Sequence, residues 1–151
     1  MTPAHTTEIA LADLPPPPAS QPRDPAARSL KVLLLDDQDD FRDVIRFSLV
    51  SNYHEVTEAS NGVEGLQKVM QDTFDLIICD MMMPKLGGEM FYWAVTRIRP
   101  AARLRFIFVT GFKNDPKVLH FFDRIHATVL YKPFPIEALN AAIRDVDRKL
   151  R

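Results

Sequence analysis

The sequence predicts an α/β protein with a doubly wound, five-stranded parallel sheet, a (βα)5 arrangement. Three observations predict it. Short apolar runs recur between residues 30 and 131 and end in an acid, a threonine or a lysine, the pattern of strands buried on both faces. Each run is followed by a stretch whose apolar residues recur at helical spacing. Gly, Asn, Asp and Pro cluster between the segments, where turns are needed. Strands alternating with helices imply a parallel sheet with helices on both faces.

The elements follow in order. Val32-Leu33-Leu34-Leu35 is the first strand and closes on Asp36-Asp37. Phe41, Val44, Ile45 and Leu49 then mark one face of a helix. Asp37, Asp39 and Asp40 stand at its start, where the helix dipole favours negative charge. Val56 marks a weaker strand at residues 54–59, and Asn61-Gly62 turns into a helix with Val63, Leu66, Val69 and Met70 on its apolar face. Residues 74–79 form a strongly apolar strand that ends at Asp80. Residues 81–88 read as a loop, because Pro84 disfavours helix at Met83 and Gly87-Gly88 permit unusual backbone angles. A helix over 90–98 is stopped by Pro100, and residues 106–109 make the next strand, ending at Thr110-Gly111. Asn114, Asp115 and Pro116 start a helix whose apolar face is Val118, Phe121, Phe122 and Ile125. Residues 128–131 are the fifth strand, followed by Lys132-Pro133-Phe134. The last helix carries Ile136, Leu139, Ile143, Val146 and Leu150 on one stripe.

Composition narrows the function classes. The chain has 151 residues with 19 basic and 20 acidic side chains, a formal net charge of −1. That balance argues against a nucleic-acid clamp or a polybasic membrane anchor. Hydrophobic residues at 46% and charged residues at 26% fit one globular domain. A single cysteine, Cys79, cannot form an internal disulfide and reads as a core strand residue, so a reducing compartment is the default. No run approaches the roughly 18 apolar residues of a membrane span, and residues 1–14 lack the basic start and apolar run of a signal peptide. A cytoplasmic location is expected. Seven of the 12 prolines fall in the first 25 residues, four of them at Pro15 to Pro18. Residues 1–29 therefore read as an extended, disordered arm acting as a spacer, and residues 30–151 as the folded domain. The four histidines have no metal-ligand spacing and read as surface residues.

The strand ends carry the chemistry. In an open α/β sheet, ligands bind beyond the carboxyl ends of the strands. Asp36-Asp37, Asp80, Thr110 and Lys132 all fall at such ends, so parallel neighbouring strands would crowd them on one rim. Two unit charges ~4 Å apart interact by about 4 kcal/mol at an effective dielectric near 20, so three carboxylates need a cation or a proton. A hard divalent ion suits oxygen ligands, and Mg²⁺ tolerates few carboxylates plus several waters. With a lysine ammonium and a hydroxyl added, the set suits a phosphoryl group, whose charge spreads over three oxygens during transfer. Each residue alone has an ordinary reading as a cap, a β-former or a solvated lysine. Their joint placement at successive strand ends argues for chemistry.

These residues resemble a response-regulator receiver domain. The resemblance lies in the acidic pair Asp36-Asp37, in Asp80 followed by Met83-Pro84 and Gly88, in Thr110-Gly111 and in Lys132-Pro133-Phe134. The intervals of 43, 30 and 22 residues from Asp37 to Asp80 to Thr110 to Lys132 match the family, over residues 30–150. The resemblance implies a flavodoxin-like strand order 2-1-3-4-5. It further implies that Asp80 accepts a phosphoryl group from a phosphohistidine of a sensor histidine kinase or a histidine phosphotransfer protein. Asp36, Asp37, Asp80 and the backbone carbonyl of Met82 would hold Mg²⁺, Lys132 would pair with a phosphoryl oxygen, and Thr110 would swing in to hydrogen-bond it. The Lys132-Pro133 peptide would be cis. A downstream protein target would meet the fourth helix, fifth strand and fifth helix, with Leu119 and His120 as contacts.

The chain departs from the family at Val129, where many members carry an aromatic switch residue; a β-branched aliphatic has no ring to swing. Met82 and Phe112 are apolar where related domains often position a hydrolytic water, so a long-lived aspartyl phosphate is expected. Because the chain ends at the fifth helix, a stand-alone receiver acting by phosphorylation-dependent contact or phosphorelay shuttling is expected. It would be a signalling domain rather than a dedicated enzyme, with no nucleic-acid binding and no membrane insertion. The sequence assigns no oligomeric state. Two alternatives stay open. An aspartate-nucleophile phosphohydrolase uses similar residues, but usually with a second carboxylate where this chain has Met82. A phosphorylation-independent adaptor fits Val129 but not the complete set of rim residues.

Overall fold

The computed structural model describes residues 28–111 and 113–150. Strands and helices alternate through them: β1 (Lys31–Leu35), α1 (Asp39–Ser51), β2 (Glu55–Ala59), α2 (Gly62–Gln71), β3 (Leu76–Asp80), α3 (Gly88–Ile98), β4 (Phe106–Thr110), α4 (Pro116–Ile125), β5 (Thr128–Tyr131) and α5 (Ile136–Leu150). The strands pair in parallel in the order β2-β1-β3-β4-β5, the topology that the resemblance implies. A short 3-10 helix, Pro100–Leu104, follows α3. It was not expected, and Pro100 at its first position explains why the chain cannot continue as α-helix there.

Alternation along the strands divides the core. Leu33, Leu35, Ile77, Cys79 and Phe108 face one layer with Val69, Phe91, Val95, Phe121 and Phe122 from α2, α3 and α4. Val32, Leu34, Ile78, Ile107 and Val109 face the other, with Ile45 and Leu49 of α1 and Leu139, Ile143 and Val146 of α5. Each such side chain, fully buried, contributes about 1.5–3 kcal/mol relative to exposure. The five residues of β1 through β4 are long enough to seat these rows and no longer, so polar residues begin at the rim.

One helix assignment differs at its flanks. Val63 and Met70, expected on the apolar face of α2, are exposed, because the buried stripe of that helix is narrower than its apolar spacing suggests. His54 is half-buried rather than on the surface, and its Nδ1 accepts the Leu30 N–H at 3.0 Å. Cys79 is buried, and burial pushes its thiol well above the ordinary range. Arg28 forms an ion pair with Asp147 of α5, and the Ser29 hydroxyl donates to the Tyr53 carbonyl. Among the described residues, contacts to the domain begin at Arg28. The Pro15–Pro18 run and Phe112 lie outside the described residues.

The glycine pair before α3 works differently from expectation. Gly87 has an ordinary φ of −73°, and the positive φ in this loop belongs to Lys85, at 70°. Gly88 is needed for closeness: a Cβ there would lie 2.9 Å from the Asp80 carbonyl oxygen and 2.9 Å from the Met81 Cα. Its N–H donates to the Met81 carbonyl at 3.0 Å, so α3 begins pressed against the end of β3.

Candidate functional site

The strand order reverses direction around β1, and the crevice opens at the carboxyl ends of β1 and β3. Asp36 follows β1 directly, and its N–H donates to the Ala59 carbonyl of β2 at 3.2 Å, which prolongs the sheet by one bond. Asp80 is the last residue of β3 and Thr110 the last of β4. Lys132 follows β5, and its N–H donates to the Thr110 carbonyl at 2.8 Å. The sheet therefore delivers these four residues to one rim. Asp36, Asp80 and Thr110 are buried, at 1%, 5% and 0% exposure, whereas Asp37 is exposed.

The carboxylates of Asp36, Asp37 and Asp80 offer one oxygen each within 4.8 Å of one another. Lys132 reaches into this group. Its ammonium donates to Asp36 Oδ2 at 2.9 Å and to Asp80 Oδ2 at 3.3 Å. The other oxygens are held by backbone: Gln38 N–H donates to Asp36 Oδ1 at 2.8 Å, and Met82 N–H to Asp80 Oδ1 at 3.1 Å. Burial and the neighbouring Asp36 charge push the Asp80 carboxyl up from 3.8 to about 6, against the Met82 N–H and Lys132, which both favour the ionised form. One lysine does not neutralise three carboxylates.

That imbalance bears on a metal. Ionised carboxylates each have about four lone-pair sites, so the bonds already made leave acceptor capacity on all three residues. A cluster of oxygen donors with surplus negative charge and one exposed member fits a hard divalent cation such as Mg²⁺. Asp36, Asp37 and Asp80 are the side chains that would hold it.

The sequence reading located Asp36, Asp37, Asp80 and Lys132, and these converge. Thr110 sits at the same rim, buried at the end of β4. It missed three neighbours. Gln38 occupies the N-cap position of α1 without a side-chain cap bond, and its Oε1 accepts from Lys132 at 3.2 Å. Phe41 places its ring 4.1 Å from the Lys132 ammonium. Arg42 donates to the Asp36 carbonyl and to Asp39 Oδ1, tying the first turn of α1 to the rim. A polar non-capping residue at an N-cap was the available signal for Gln38; nothing local pointed to the other two. The Lys132-Pro133 peptide is cis, as the resemblance implies.

Comparison with known proteins agrees with this geometry. Residues 32–144 match the description of the response regulator receiver domain. A probable chemotaxis protein CheY from Rhizobium etli is 32% identical over 122 residues, covering 80% of this chain and 94% of that protein. The transcriptional regulatory protein AfsQ1 of Streptomyces coelicolor is 30% identical over 118 residues, 78% of this chain but 51% of its own length. The chain thus spans about half of that relative. The solved structure of the Vibrio cholerae chemotaxis protein CheY4 has a TM-score of 0.70 at 30% identity, covering 79% of this chain and 99% of that one. Sheet order, rim residues and relatives together show that the chain belongs to the response regulator receiver domain family, the CheY-like signalling modules of two-component systems.

Proposed function

We propose that Asp80 is the phosphoacceptor of this receiver and takes a phosphoryl group from a phosphohistidine on a sensor histidine kinase or histidine phosphotransfer protein. The observation that carries this reading is the cluster of three carboxylates at the strand ends, two of which, Asp36 and Asp80, pair with Lys132, with Thr110 at the same rim. An Asp80 oxygen attacks phosphorus, the bond from phosphorus to the imidazole nitrogen breaks, and the electron pair leaves with the imidazole. The product is an acyl phosphate. Asp80 must be ionised to attack, and with its carboxyl near 6 it is mostly ionised at neutral pH.

Lys132 then exchanges a carboxylate oxygen for a phosphoryl oxygen, a short move for an ammonium already 3.3 Å from Asp80. Thr110 donates its hydroxyl to the phosphoryl group. The backbone bond from Lys132 N–H to the Thr110 carbonyl couples the two residues mechanically. Mg²⁺, held by Asp36, Asp37, Asp80 and the Met82 carbonyl, would supply positive charge to the oxygens of the transferring group. Receiver domains are signalling modules, and the output here is a protein contact at α4, β5 and α5. Leu119 and His120 of α4 are exposed there. Val129 is half-buried against the layer of α2 to α4, so no ring at that position relays the motion of Thr110. No helix among the described residues is long and apolar enough to cross a membrane.

The test is intact-mass spectrometry after incubation with acetyl phosphate and Mg²⁺, beside Asp80→Asn and a metal-free control. A phosphoryl-sized mass gain that needs both Asp80 and Mg²⁺ is expected. No gain under any condition overturns the reading and favours a phosphorylation-independent adaptor, for which Val129 is the specific sign.

A further inference from the structure

Lys132 is held by more than charge. Its ammonium has three protons, directed at Asp36 at 2.9 Å, Gln38 at 3.2 Å and Asp80 at 3.3 Å. The ring of Phe41, in the first turn of α1, lies 4.1 Å away, against 5.3 Å for Arg124 over Trp93 and 5.9 Å for Lys31 over Phe74. The same ring meets Phe134 edge-on, with centroids 5.7 Å apart and planes at 89°. Phe134 stands two residues after Lys132, so two aromatic rings link α1 to the loop that carries the lysine. Only 16% of the Lys132 side chain is exposed.

The ring contributes something the carboxylates cannot. Asp36 and Asp80 attract the ammonium but allow it to lean toward either of them, since a lysine is a point charge on a flexible four-carbon stem. A ring face is attractive only over its centre, and it also excludes water from that side. A group that must meet a phosphoryl oxygen at one point gains rate from being held there beforehand.

We propose that Phe41 is a positioning residue for Lys132: its ring face, braced by Phe134, holds the ammonium between Asp36 and Asp80, where an oxygen of the transferring phosphoryl group is met. This rests on Asp80 being the phosphoacceptor. An ordinary packing role makes only the size of the side chain matter. A positioning role makes the aromatic ring matter.

The experiment compares the full chain with Phe41→Leu, which keeps apolar bulk, and Phe41→Tyr, which keeps the ring. Urea unfolding establishes that each variant is folded. Phosphorylation by acetyl phosphate with Mg²⁺ should slow about three- to thirtyfold in Phe41→Leu and recover in Phe41→Tyr. Independently, the ε-methylene protons of Lys132, assigned by NMR against Lys132→Arg, should lie upfield of ordinary lysines through the ring current. The displacement should vanish in Phe41→Leu and persist in Phe41→Tyr. A wild-type rate in Phe41→Leu, an equally slow Phe41→Tyr, or ordinary Lys132 shifts in the unsubstituted protein each overturns the proposal. A wild-type chain that gains no phosphoryl group overturns the acceptor reading instead, and the ring-current shift then decides alone whether Phe41 places Lys132.

Discussion

Replacing Asp80 by Asn should stabilise the metal-free domain. Asp80 is 5% exposed, and its carboxyl is raised from 3.8 to about 6, first by burial and second by the charge of Asp36. A group whose folded pKa lies above its unfolded value stabilises the fold fully below the unfolded value, and that contribution is lost as pH rises through the folded one. The ionised Asp80 therefore costs stability above about pH 6 and nothing below about pH 4. The full difference corresponds to about 3 kcal/mol, and solvent on the open side of the rim reduces it to about 2 kcal/mol. Asn has the same shape, keeps an acceptor for the Met82 N–H and carries no charge.

Urea unfolding in the presence of a chelator would measure this. With a slope of about 2 kcal/mol/M, Asp80→Asn should unfold about 1 M urea later than wild type near pH 7.5. The two midpoints should converge between about pH 6 and pH 4. A variant no more stable than wild type near neutral pH, or an advantage that persists undiminished in acid, would refute the argument that Asp80 is electrostatically strained.

Three further outcomes follow from the same geometry. Lys132→Met removes the one ammonium between Asp36 and Asp80, so the metal-free variant should lose about 2–3 kcal/mol near neutral pH and recover much of it in acid, as read by urea unfolding. Gly88→Ala forces a Cβ to within 2.9 Å of the Asp80 carbonyl oxygen and should cost about 1–3 kcal/mol by the same method, displacing the end of β3. Met82 is 52% exposed with its N–H on Asp80, and a polar side chain there could seat a hydrolytic water; Met82→Asn should speed loss of the phosphoryl group severalfold, and an unchanged rate in a mass-spectrometric time course sinks the idea.

The sheet and most of the rim were legible because both depend on short-range pattern. Val32 to Leu35 and Leu76 to Cys79 are apolar runs as long as a buried strand, and the acids that end them mark where the sheet meets solvent. Parallel pairing then brings strand ends together without further information. Contacts across the rim were not legible, since Gln38 and Lys132 are 94 residues apart and neither helix period nor strand alternation links them. Gly88 was identified as special for the wrong reason. Freedom of backbone angle and closeness of approach both demand glycine, and only the neighbouring atoms distinguish them. His54 was misplaced because a single ring nitrogen accepting the Leu30 N–H leaves no periodic trace. Val63 and Met70 show that apolar spacing sets a helix face only to within its flanks, and the sheet decides which flank is covered.

The raised Asp80 carboxyl also fixes how metal affinity must depend on pH. Asp36 and Asp80 share one ammonium, which Gln38 and Phe41 help to hold, so the cluster keeps surplus negative charge whenever Asp80 is ionised. A proton on Asp80 and a divalent cation both relieve that surplus, and they compete for the same oxygens. Linkage then requires that whatever factor the cation lowers the proton affinity by, the proton lowers the cation affinity by the same factor. Mg²⁺ binding, followed by calorimetry, should therefore be nearly constant above about pH 7 and weaken below about pH 6, approaching tenfold per pH unit. In Asp80→Asn the residual binding should show no such inflection near pH 6, because the competing proton site is gone. A wild-type affinity that stays level down to about pH 5 would mean that Asp80 is not a ligand, and the role of the rim as a cation site would have to rest on Asp36 and Asp37 alone.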